Sequence, residues 1–238
     1  MVFIPWSTYP VTMTGRSVSV KDLVKAFEAK LDSFSPMPED VWELRSRALA
    51  LRTALGAGSI EPIRAEVADL ALAVSDTCDK LYKFVNNLIR WMTAKGYTRL
   101  ATLFDITTIG SLALHDLKEG KWKNPSDILG AAISEGSMII ASLQYTKAQE
   151  ENIKAMTEDH MSDIYGIMWE VMPMLRGPMT PADIADARDG LDAFFKALRS
   201  ESTKIETRIA VIALLYLVAI KVRSDKLLEN ARGLERRK

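Results

Sequence analysis

The chain has 238 residues, enough to bury a sizeable core, and its 48% hydrophobic and 26% charged content excludes wholesale disorder. Thirty-one basic residues balance 31 acidic ones, so the net charge is zero, which disfavours a role as a nucleic-acid coat. Cys78 is the only cysteine, which excludes an intrachain disulfide.

Residues 1–18 read as an extended arm: the stretch is broken by Pro5 and Pro10, carries Phe3, Trp6 and Tyr9, and has no charge before Arg16. With no basic start and no unbroken apolar run, it does not read as a signal peptide. The expectation is a soluble protein, cytoplasmic or released without a classical signal. Ser19 followed by Asp22 is an N-cap with an acidic third position. Val20, Leu23, Val24, Phe27 and Leu31 then mark one face of a short helix. After Ser35-Pro36-Met37-Pro38, a second helix aligns Val41, Leu44, Ala48, Leu51 and Leu55, and Gly56 and Gly58 stop it.

The strongest pattern is a heptad register counted from Ile60. Its a positions are Ile60, Val67, Val74, Leu81 and Leu88; its d positions are Ile63, Leu70, Thr77, Phe84 and Trp91. Thr77 is the one polar member. Pro62 is tolerated in the first turn, and Gly96 ends a rod predicted over 59–95. Ala71, Ala73, Cys78 and Val85 widen the apolar face beyond what a two-stranded coil uses, which favours a multi-helix bundle.

Residues 98–117 are predicted helical despite Thr107, Thr108 and Gly110. The loop Lys118-Glu119-Gly120-Lys121-Trp122-Lys123 follows, and Asn124-Pro125 opens a long element over 125–172. That element is either one helix or two parted near the polar stretch 144–152. Its 128–143 segment is rich in small residues, and Ile153, Met161, Ile164, Met168 and Val171 resume an apolar stripe. Six of the eleven methionines fall between Met156 and Met179, as core filler or a surface that repacks. Thr180-Pro181 begins a further helix in which Ile184, Leu191, Phe194, Phe195 and Leu198 are predicted to face inward. Whether it continues into a last helix over 203–231, or bends near Ser200-Glu201-Ser202, is open. The last residues, 233–238, form a basic tail. The expected fold class is all-α: one bundle domain over 19–232, with several unusually long amphipathic helices around a central apolar one.

Sites for chemistry do not emerge. His115 and His160 belong to no HExxH or ExxH motif. His160, beside Glu158, Asp159 and Asp163, reads as part of a solvated polar face, with a weak metal or proton site as the alternative. Asp183, Asp186, Asp189 and Asp192 recur every three residues, but a three-residue step turns each carboxylate by about 60°, so four cannot converge on one ion. Cys78 reads as a buried structural thiol. No phosphate-binding loop, dinucleotide fingerprint or nucleophile elbow occurs. The expectation is a non-enzymatic protein with no cofactor, metal or small-molecule substrate.

Three features suit interaction. The first is the aromatic arm with Trp6. The second is Lys121-Trp122-Lys123, an amphipathic ring between cations, suited to a lipid interface or to stacking on a base, unless its Trp tucks into the core. The third is the segment 209–220, apolar on every face but only 12 residues long, where a membrane span needs roughly 20. Arg208, Lys221 and Arg223 flank it. It reads as a central core helix or as a latent membrane segment. Long helices around a wholly apolar one are similar in architecture to helical pore-forming toxins and membrane-permeabilising cell-death bundles, an analogy of fold alone. It implies a membrane-active protein that oligomerises, with self-association and a lipid membrane as its partners. The rival readings are a self-assembling structural protein, such as a viral nucleocapsid, matrix or coat subunit, and a passive helical adaptor. In the structural reading the arm and tail join neighbours or touch nucleic acid, the less favoured partner.

Overall fold

A computed structural model describes residues 19–34, 36–56, 62–94, 147–203 and 205–235. Trp6, Lys121, Trp122 and Lys123 lie outside them, as do the helix expected over 98–117 and the small-residue segment 128–143. The described residues form six helices and no strand, an all-α bundle as the periodicity predicts.

Helix α1 (Val20–Asp32) starts where Ser19 accepts a hydrogen bond from the Asp22 amide, and it buries Val24, Phe27 and Leu31. Helix α2 (Pro38–Gly56) buries all five residues of its apolar line. Between α1 and α2, Lys30 reaches Asp40 at 2.6 Å and Arg47 donates to the Ala26 carbonyl at 3.1 Å. Helix α3 (Pro62–Ala94) is the heptad rod, 33 residues long, or about 50 Å. Val67, Val74, Thr77, Leu81, Phe84 and Leu88 on its seam are all buried, and so are Ala71, Cys78 and Val85 beside it. That breadth is needed because α3 packs on α2 and on the last helix, with a lesser contact to the helix Lys147–Arg176.

Helix α4 (Lys147–Arg176) includes most of the polar stretch where a break was one option. It also runs four residues past the expected end at 172, through Pro173. The proline leaves the Trp169 carbonyl without its helical donor, but Met168, Val171 and Met172 are buried just before it and hold the turn against the core. Gly177, at φ 78°, then ends the helix in the left-handed conformation, its amide donating to the Pro173 carbonyl at 2.9 Å. Helix α5 (Pro181–Arg199) opens on a capping box in which Thr180 and Asp183 satisfy each other's backbone amides.

Helices α5 and α6 (Ile205–Glu235) are separate. The break falls at Ser200, whose extended backbone (φ −57°, ψ 142°) cannot continue a helix. Helix α6 runs four residues past the expected helix end at 231, through Gly233 to Glu235. All twelve residues of 209–220 are buried. Helix α6 is the central element, packed against α3, α4 and α1. A helix apolar on every face has no solvent side, so it is stable only when neighbours surround it.

Candidate functional site

The ends of the apolar segment are held by two buried arginines, each bonded to particular partners through its terminal guanidinium nitrogens. Arg208, one residue before the segment, is 4% exposed and donates through Nη2 to the carbonyls of Arg199 and Ser200 at 2.7 and 2.8 Å. Those carbonyls end α5, where the helix dipole is negative and unpaired acceptors collect, so the cation caps the helix. Arg223, also 4% exposed, donates through Nη1 to Thr77 Oγ1 at 2.6 Å and to the Ala73 carbonyl at 3.2 Å, and pairs through Nη2 with Glu170. Burial pulls the guanidinium below its ordinary pKa, partly offset by Glu170 and Asp76, yet an arginine stays charged. Thr77, the one polar heptad position, is therefore the acceptor for a cation from the central helix. Arg223 joins α3, α4 and α6 at one point.

A second buried polar group lies deeper along α4. His160 is 8% exposed, so the expectation of a solvated polar face is corrected. Its Nδ1 lies 3.0 Å from the Tyr216 hydroxyl of α6, and its ring meets the edge of Phe84 of α3 at a centroid distance of 4.9 Å. Helical rotation explains the placement. Residues 153, 157, 160, 164, 167, 168 and 171 share one face, and all are buried; the acidic neighbours point elsewhere. That register was the signal in the sequence that would have found His160. The side chain faces the core, not a ligand, and no group of three or more potential metal ligands occurs among the described residues.

The aspartates of α5 do not act together. Asp183 caps the helix, Asp192 accepts from the Tyr165 hydroxyl at 2.6 Å, and Asp186 and Asp189 are exposed. Cys78 is fully buried, and burial pushes its thiol pKa up. An open groove of about 550 Å³ runs between α1 and α6. Its cations are already engaged, Arg232 by Glu28 and Lys221 by Asp225.

The outer surface offers a different feature. Helix α5 packs mainly on α4, burying Leu191, Phe194, Phe195 and Leu198. The pairs Glu158–Arg199 and Tyr165–Asp192 fix an antiparallel register: seven residues forward from 158 to 165 match seven back from 199 to 192. Carried onward, the same register places Ile184 opposite Pro173, with Trp169 one turn away. Ile184 is 42% exposed, and Trp169 and Met174 are 37% exposed, the large exposed hydrophobics of the described residues. The inward orientation expected for Ile184 is thus corrected. Periodicity placed it on the apolar face of α5, but α4 provides no cover at that end.

No protein-family model, curated protein or solved structure matches the chain.

Proposed function

We propose that this chain is a self-associating structural protein, a non-enzymatic helical subunit that uses the open end of the α4–α5 hairpin as a contact with a second copy. The observation that carries this reading is the exposure of Trp169 and Ile184, which the α4–α5 register places about one turn apart at that end, with Met174 exposed on another face of α4. Aromatic and methionine side chains are enriched at interfaces. A net charge of zero removes the repulsion that keeps identical chains apart. The segment 209–220 supports the same reading from inside. Both of its ends are tied by buried arginines to other helices, as expected of a permanent core.

The membrane-active reading retains one favourable observation, that 209–220 is apolar on every face. At about 1.5 Å per residue those twelve residues cover about 18 Å, against a hydrocarbon thickness of about 30 Å. No helix among the described residues is long and apolar enough to cross a membrane.

Light scattering coupled to size exclusion over a wide concentration range tests the proposal. The expected result is a mass that rises with concentration, and an association weakened about tenfold or more by Trp169→Ser or Ile184→Ser. Each removes an apolar group worth about 1.5–3 kcal/mol when buried. A monomer at every concentration refutes self-association. Assembly unaffected by both substitutions refutes the hairpin as its contact. Dye release from anionic liposomes by the unmodified protein would favour the membrane reading instead.

A further inference from the structure

His160 and Tyr216 form a polar contact where three helices meet. Phe84 and Tyr216 are fully buried, and the ring centroids of Phe84, His160 and Tyr216 lie within 4.9–6.2 Å of one another. Burial keeps the Tyr216 hydroxyl protonated, by raising its pKa far above the ordinary value. With the imidazole neutral, the hydroxyl donates to Nδ1 and the ring carries its proton on Nε2, a tautomer assigned from this bond. That is the tyrosine's one hydrogen bond among the described residues.

A second proton on the ring overturns this arrangement. Nδ1 becomes a donor and must point at the tyrosine oxygen, so the hydroxyl proton turns away from the ring, and Tyr216 has no second hydrogen-bond partner among the described residues. A buried donor is left unpaired, and a charge appears in a desolvated place. The charged groups around the ring do not rescue the cation. On α4, Asp159 and Asp163 favour it, but Asp163 is engaged by Lys80 of α3 at 2.6 Å. Lys80 and Lys83 of α3 oppose it. On the α5 side, Arg199 is engaged with Glu158. Burial, the largest effect, holds the ring below its ordinary pKa.

We propose that the His160–Tyr216 pair is an acid-sensitive latch between α4 and α6, closed when the imidazole is neutral and loosened when it is protonated. The sign follows from linkage. The folded chain takes up this proton less readily than the unfolded chain, whose histidine titrates near 6.5. Stability present above that pH is therefore lost progressively as the pH falls below it. No other side-chain type ordinarily titrates in this window, and the chain has only two histidines. The inference is independent of self-association, since it concerns contacts within one chain.

The test uses the full chain carrying His115→Gln, so that His160 is its sole histidine. The imidazole is titrated by NMR, and urea midpoints are measured at about pH 7.5 and about pH 5.5 with and without His160→Gln. Glutamine accepts a hydrogen bond from Tyr216 and does not titrate. The expected results are a ring that titrates below the ordinary histidine value and a urea midpoint that drops on acidification, the drop being smaller with His160→Gln. Equal pH dependence in the two chains, or a ring titrating at or above the ordinary value, overturns the proposal. Should His160→Gln fail to fold, the ring titration decides alone.

Discussion

Thr77→Val is the most informative single change, because two readings of the heptad rod predict opposite signs for it. If the seam of α3 is only an apolar stripe, valine repairs its one polar position and adds a buried methyl worth about 0.8 kcal/mol. If Thr77 is the acceptor for Arg223, the same change takes away a partner 2.6 Å from a guanidinium that is 4% exposed. Removing one partner of a buried donor costs about 1–3 kcal/mol, and more when the donor is charged. The Ala73 carbonyl, at 3.2 Å, offsets part of this. The expected net loss is about 1–2 kcal/mol. A double-mutant cycle with Arg223→Met isolates the interaction, since methionine keeps much of the buried stem without the charge. In that background the threonine hydroxyl has no donor to serve, so Thr77→Val should be neutral or stabilising by up to about 1 kcal/mol. The coupling between the two sites is then about 1–3 kcal/mol. Urea unfolding followed by circular dichroism, with a second probe to check two-state behaviour, reads it as a midpoint lower by about half a molar or more in the single variant. A Thr77→Val chain more stable than the unmodified protein refutes the reasoning.

Arg208→Gln should cost about 1–2 kcal/mol, because it removes a charged cap from the end of α5 and leaves a buried side chain with weaker bonds to the Arg199 and Ser200 carbonyls. Trypsin cleavage after Arg199 should quicken, as seen by mass spectrometry of timed digests; an unchanged rate speaks against the cap. Cys78 should resist a thiol-specific reagent at mildly alkaline pH until denaturant is added, since the thiol is fully buried and its thiolate disfavoured. Rapid reaction in native buffer would show that α2 and α6 leave α3 far more often than their packing implies.

The sequence revealed the helices well where burial is continuous along a face. The α2 line, six described positions of the α3 seam and the whole of 209–220 are buried as their periodicity requires, because a helix that packs along its length has no choice of face; Leu70 is half-buried, and Ile60 lies outside the described residues. It revealed less where packing stops partway along an element. Ile184 has the right phase to be buried, yet phase says nothing about how far the neighbouring helix extends. Pro173 marked a helix end by local preference, and tertiary contacts on the preceding turn overrode it. The interaction candidates Trp6 and Lys121-Trp122-Lys123 fall outside the described residues, whereas the exposed apolar group on the α4–α5 hairpin could be recognised only once the two helices were paired.

The buried polar residues were the least legible, and they hold the register. Thr77 and Arg223 are 146 residues apart, and His160 and Tyr216 are 56 apart, so no local pattern links either pair. An apolar seam alone specifies its partner weakly, since leucine, valine and alanine surfaces exchange neighbours at modest cost. Sliding α6 along α3 by one turn, about 5.4 Å, would keep most of 209–220 in apolar surroundings. The same slide would carry the Arg223 guanidinium away from Thr77 and Ala73 to Val74 or Leu81, and would part Tyr216 from His160. Both displacements leave a buried polar group unpaired, which is the expensive outcome. The long apolar faces therefore bring the helices together, and the few polar exceptions on them select one alignment.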